Sequence, residues 1–165
     1  MAERVKNLRD GQLVVKDGAG SPVSLTVLFA SGDLSWTVGY DNKIVMNRGA
    51  MHHARRGNDV PLKMSFSAAW VQLWGKNASA GESAQLYEML NDEGTSTFAS
   101  TGSGCEPHQL TFEFTVSDEC DGKDEKISFT RMMTDSVQCS EGDEQNTISY
   151  SGTSATLTKP TITRV

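Results

Sequence analysis

The sequence predicts a mainly β fold: an antiparallel β-sandwich or partly closed barrel with one flanking α-helix, in a single domain spanning residues 1–165. Three observations predict it. Apolar residues recur at every second position through most of the chain, the period of a strand with one buried face. Clusters of Gly, Ser, Asn and Asp separate these stretches, as turns require. Only one stretch carries a helical period, so there is no strand–helix alternation to build a parallel sheet.

Taken in order, Leu13-Val14-Val15 runs into the turn cluster Asp17-Gly18-Ala19-Gly20-Ser21-Pro22, and Val23, Leu25, Val27 and Phe29 alternate after it, which predicts a first hairpin. Ser31-Gly32-Asp33 then suits a reversal or bulge, and Leu34, Trp36, Val38 and Tyr40 share the next apolar face. A long loop is expected over residues 40–60. From Pro61 to about Leu73, Leu62, Met64, Phe66, Ala68 and Trp70 hold one face of a strand, with Val71, Leu73 and Trp74 suggesting burial on both sides near its end. The helix is expected over about 79–92. Ser79-Ala80-Gly81-Glu82 is a capping-box pattern, Leu86, Tyr87 and Leu90 form an apolar stripe, and Gly94 is placed to stop it.

Residues 94–109 read as a second long loop. Leu110, Phe112, Phe114 and Val116 form the cleanest half-buried strand, Asp121-Gly122 signals a hairpin turn, and Ile127 and Phe129 begin the return, with Arg131 interrupting the apolar phase. The last strand starts near Thr147. Its phase changes after Gly152, so a kink is expected there. The total is about seven or eight strands.

Composition narrows the function. With 15 Lys plus Arg against 21 Asp plus Glu, the formal net charge is −6 and the pI is near 5.0, which argues against a nucleic-acid binder. The length suffices for a hydrophobic core without metal or disulfide staples. No apolar run reaches the roughly 18 residues of a membrane-spanning helix, so no membrane partner is expected. The opening residues Met1–Gln12 lack the apolar centre of a secretory signal. With an odd set of three cysteines (Cys105, Cys120, Cys139), the expectation is reduced thiols in a non-exported product, in which the acceptor pattern Asn77-Ala78-Ser79 stays silent.

Charge is unevenly placed. Residues 118–144 carry 9 acids (Asp118, Glu119, Asp121, Asp124, Glu125, Asp135, Glu141, Asp143 and Glu144) against 3 bases. The 40–60 stretch is the reverse, with Lys43, Arg48, Arg55, Arg56, His52 and His53 against Asp41 and Asp59. Two readings stand open: both segments are solvated loops, or loops of opposite sign join copies head to tail, a heterologous contact that builds rings or filaments.

No catalytic or metal signature is complete. Cys105-Glu106-Pro107-His108 would be half a zinc site or a thiol–imidazole pair, but it lacks a matching second pair or an orienting third group. Around Gly122 a calcium loop would need a Glu at its twelfth position, where Ser128 stands. Glycine-rich phosphate cradles are absent from the sequence. No cofactor and no enzymatic activity are expected.

Several stretches together resemble the tail tube (major tail) proteins of long-tailed bacteriophages, a family related in fold to secretion-system tube proteins. Asp135-Ser136-Val137-Gln138, Glu141-Gly142 and Asp143-Glu144-Gln145-Asn146-Thr147-Ile148-Ser149-Tyr150-Ser151-Gly152-Thr153 through Pro160 look like that family's C-terminal half. Gly57-Asn58-Asp59-Val60-Pro61-Leu62-Lys63-Met64-Ser65-Phe66, returning from a long loop into a strand, is similar too. So is the order hairpin, long loop, strand, single helix, strands; the likeness covers about two thirds of the chain as a pattern.

The resemblance implies a virion protein of the phage tail, assembled in the host cytoplasm. Its copies form rings, six per ring, that stack into a tube through which DNA is ejected. It implies that the loop bearing Lys43, Arg48, His52, His53, Arg55, Arg56 and Asp59 reaches a neighbouring subunit or ring. The acids of residues 118–144 would line the lumen or the ring faces, letting DNA pass without specific binding. Self-association would be joined by tape measure and tail terminator or adaptor partners. In such a ring a neighbour's strand could cover Leu110–Val116. The alternative is a β-sandwich module for carbohydrate or another surface ligand, with Trp36, Trp70 or Trp74 as a stacking platform.

Overall fold

The computed structural model describes residues 11–27, 34–69, 86–93, 98–117, 124–142 and 146–164. The alternating segments become strands β1 (Gly11–Lys16), β2 (Ser24–Val27), β3 (Ser35–Thr37), β4 (Asn42–Asn47), β5 (Ala50–Arg56) and β6 (Lys63–Ala69), helix α1 (Leu86–Asn91), then β7 (Gln109–Val116), β8 (Glu125–Ser140), β9 (Thr147–Ser154) and β10 (Thr161–Arg164). Eight of the strands form one antiparallel sheet in the order β2-β1-β7-β8-β9-β6-β3, with β10 beside β8. The mainly β, one-helix prediction holds, and no barrel closes among the described residues.

The sheet folds over on itself. Strands of a flat sheet lie about 4.8 Å apart, so β7 and β6, three places apart, would be separated by about 14 Å. Yet the Phe66 and Phe112 rings on those strands have centroids 5.8 Å apart, and Tyr150 of β9 packs on both at 5.1 and 4.9 Å. Trp36 of β3 likewise meets Phe129 of β8 edge-on at 5.7 Å, again across three strand positions. The core therefore sits inside the curl, filled by Leu13, Val15, Leu62, Leu110 and Met132 with the aromatic group.

β8 explains why the apolar phase seemed to break at Arg131. Leu110 pairs Met132 while Phe112 pairs Phe129, so Thr130 and Arg131 together oppose one residue of β7. Arg131 takes up the bulge with φ 55°, and Phe129 and Met132 both return to the core. A second irregularity inserts Asp135 opposite Gly152–Ser151. The kink expected in β9 thus lies across the ladder on β8, and β9 runs on to Ser154. Gly152 serves another purpose. A Cβ there would fall 2.1 Å from the Tyr150 hydroxyl and 2.6 Å from the Met133 carbonyl oxygen. Beyond β9, the buried Ser154 hydroxyl donates to Thr130 O and accepts from Leu157 N, filling the gap between β9 and β10 on the flank of β8.

Other expectations are refined. The first hairpin is present, its turn locked because buried Asp17 accepts from Val23 N and Ala99 N. The helix stops before Gly94: Asp92 adopts φ 52° and Glu93 N donates to Glu88 O, a six-to-one closure that needs no glycine. Its capping box at 79–82 and Gly94 lie outside the described residues, as do Trp70, Trp74, Cys120 and the Asp121-Gly122 turn. β7, which a neighbouring subunit's strand could have covered in a ring, is internal, flanked by β1 and β8. Among the described residues, strand margins without a neighbour include those of β2, β3, β10, the Asp135–Ser140 stretch of β8, the Phe66–Ala69 stretch of β6 and both outer edges of β4–β5.

The polar faces of the two halves differ. On the β1–β7–β8 side Glu113 sits between Lys16 and Lys126, at 2.7 and 2.8 Å. Partial burial pushes its carboxyl up, but the two lysine hydrogen bonds and their charge outweigh that and hold it below its usual value. On the β6–β9–β8 side the pairs are hydroxyls: Ser35–Ser65, Ser67–Ser149, Ser136–Ser151 and Ser140–Thr147, all at 2.7–3.0 Å.

The Gly152→Ala variant should lose about 1–3 kcal/mol, because the added methyl meets a backbone carbonyl that cannot retreat. Gly20→Ala, with open space around its Cβ, should stay within about 0.5 kcal/mol of wild type. Urea midpoints of the two variants check this.

Candidate functional site

The 40–60 stretch is no irregular loop. It is a projecting hairpin, β4–β5, that forms a sheet of its own. The Asn47-Arg48-Gly49-Ala50 sequence makes its reversal, with Arg48 and Gly49 at φ 52° and 82°, the mirror-image turn that matches strand twist. Nearly every residue of both strands is exposed.

At its root the two arms of the hairpin are clasped together. Asp41 accepts from Asn58 N at 2.9 Å through its carboxylate and from Gly57 N at 2.5 Å through its carbonyl. Lys43 pairs with the same carboxylate at 3.1 Å. The Asn58 amide foremost, then Lys43, keeps the Asp41 carboxyl below its ordinary value. Gly57 is required here, since a Cβ would lie 2.2 Å from the Asp41 carboxylate oxygen, and Gly39 is similarly closed by Val60.

Alternation along the paired strands gives the hairpin two unlike faces. Ile44, Met46, Met51 and Ala54 share one; Lys43, Val45, His53 and Arg55 share the other. The apolar face is bare, with Ile44 58%, Met46 56% and Met51 70% exposed. Of the sequence-predicted cations, Arg56 pairs with Asp59 at 2.7 Å, an exposed contact of small energetic value. Among the described residues, Arg48 and Arg55 have no carboxylate within ion-pair distance. Sequence reasoning missed the three large apolar residues. The signal was present in Ile44 and Met46 alternating up to an Arg-Gly turn, with Met51 just beyond it.

The predicted acidic segment is not one loop either. Its centre is β8, so Asp124 and Glu125 lie at one end and Glu141 at the other, about 50 Å away along a strand of this length. Asp135 marks the bulge and accepts from Thr153 Oγ1. Asp118, Glu119, Asp121, Asp143 and Glu144 fall outside the described residues. Among the described residues, the acids are therefore not gathered into one patch.

The other candidates resolve into structure. Glu106, not Cys105, is the engaged residue of its segment: it accepts from Ser103 N and from Arg131, which also donates to the buried Gln109 at 2.9 Å. The Ser103 amide first, then Arg131, lowers the Glu106 carboxyl. Cys105 is exposed, and His108 faces Asp92 at 3.7 Å. Trp36 is 38% exposed at the sheet margin but spends an edge on Phe129. No group of three or more His, Cys, Asp or Glu side chains converges among the described residues.

Asp41→Ala should open the clasp without unfolding the domain, seen as faster proteolysis within 40–59 at an unchanged urea midpoint. Because the folded carboxyl titrates below its ordinary value of 3.8, the clasp is fully present above that pH and is released as pH falls through the lower folded value. Amide exchange at Asn58, followed downward from pH 5, reads this.

No protein-family model matches the chain, and no curated protein sequence matches it. Among solved structures, the chain is similar to a chain in the cryo-EM structure of the anti-feeding prophage (AFP) baseplate, 6-fold symmetrised, at 10% identity over 100% of this chain and 97% of that one, with a TM-score of 0.49.

Proposed function

We propose that this protein is a structural subunit of a phage-type tail, assembling with its own copies into stacked rings, six per ring, around a passage for DNA. The observation that carries the reading is the β4–β5 hairpin. A lone two-stranded hairpin is marginal in water, yet this one is held out from the domain with Ile44, Met46 and Met51 bare. Fully burying such a side chain is worth about 1.5–3 kcal/mol, so covering the exposed part of these three supplies a driving force for docking on a neighbour.

The basic residues of the hairpin supply orientation. Arg48 and Arg55 present cations to a partner, and a chain of net charge −6 offers a second copy as that partner. Unpaired strand margins at β2, β3, β10 and Asp135–Ser140 add places where a neighbour's strand extends the sheet. The sequence resemblance to tail tube proteins supports the ring and the tube, and the acidic balance suits a conduit that repels phosphate. The role is architectural, with tape measure and tail terminator or adaptor proteins as further partners.

Concentrated protein, with or without an assembly initiator, should show rings or tubes with a central pore by negative-stain microscopy. Met51→Asp and the Arg55→Glu, Arg56→Glu pair should leave the monomer folded by circular dichroism and abolish stacking. Wild type that stays monomeric in every condition, or tubes of normal length from both variants, would overturn the proposal.

A further inference from the structure

The hairpin carries a second feature, its adjacent histidines. Consecutive residues of a regular strand point to opposite faces, so His52 and His53 should not meet. The pairing, however, passes from Val45–His53 to Met46–Met51, leaving His52 as an extra residue in a bulge. A bulge re-aims the side chains it carries. Here it brings the two imidazoles together, one Nδ1–H donating to the other Nδ1 at 2.7 Å with ring planes at 74°; a metal ion would take the place of that proton, which the donor imidazole then carries on Nε2.

We propose that His52 and His53 chelate a borderline divalent transition-metal ion through their two Nδ1 atoms. Imidazole nitrogens bound at about 2.0–2.1 Å lie about 2.9 Å apart when they sit at right angles on one ion, and about 3.3 Å apart on a tetrahedral one. The 2.7 Å separation in the free hairpin is set by the hydrogen bond and leaves both nitrogens within reach of one ion; the right-angle arrangement is the one that Cu(II) and Ni(II) favour. Both rings are exposed, so water completes the coordination sphere and the ion enters without moving the domain. Lys43 and Arg55 share the His53 face and repel a cation, an effect that Asp41 offsets by neutralising Lys43 at 3.1 Å. Affinity should therefore follow Cu(II) above Zn(II), as the general order for nitrogen sites requires.

The test uses the free subunit with thiols alkylated, titrated with copper(II) chloride and separately with zinc chloride by calorimetry. The Cu(II) form is examined by electron paramagnetic resonance. One copper per chain, tighter than zinc, with two imidazole nitrogens in the equatorial plane, is the expected result. A lost ligand should weaken binding by at least the roughly tenfold that supporting groups around metal ligands are worth, so His53→Asn should bind copper about tenfold or more weakly. His108→Asn should match wild type. Equal copper affinity in the His52→Asn, His53→Asn double variant, a single nitrogen in the spectrum, or zinc binding tighter than copper would each overturn the site. Tube formation plays no part in the readout, so the assembly proposal and this one fail separately.

Discussion

The structure depends on one packing event: the apolar side of a single sheet closing on itself. Phe66 and Phe112 come from strands that a flat sheet would keep apart, and their contact, shared with Tyr150, defines the curl. Everything that faces inward alternates with something that faces out, so the curl also decides which polar rows meet solvent. Lysines and a glutamate lie on one half, hydroxyl pairs on the other. Bending the sheet this sharply requires strands that can turn without losing register. The two irregularities of β8, at Arg131 and Asp135, are where the excess length is taken up.

The class of fold and most strands were legible because their signal is local. Leu110 to Val116 alternates cleanly and becomes a strand with every second side chain buried. Legibility failed where pairing partners decide the outcome. Arg131 looked like an interruption because its bulge exists only against β7, and the phase change after Gly152 looked like a kink in β9 because the strand ends at Ser154, before Ala155 and Leu157. The glycine answers to the ring of Tyr150 folded over it, which no reading of neighbours in sequence reveals.

The candidate site shows the same division. The charged residues of the 40–60 stretch stood out by type, but their arrangement as a two-faced hairpin depends on cross-strand registry and on the clasp from Asp41 to Gly57 and Asn58. Polarity suggested a loop, and an exposed two-stranded ladder has a loop's composition, since no side of it meets the core. Acids close in sequence, by contrast, were carried apart by a 16-residue strand, because a strand extends the chain about 3.3 Å per residue.

That strand has a consequence for how the domain comes apart. β8 gives its first half to β7 and β10 and its second half to β9, and the Phe66–Phe112–Tyr150 packing joins the two lobes, so opening either one exposes the core of the other. The two lobes thus form one cooperative opening unit, with backbone amides in β7 and β9 exchanging through the same rare event. The β4–β5 arm, sharing no ladder with them, breathes on its own. A subunit built this way can reshape its outstretched arm to fit a contact and keep a body that does not yield.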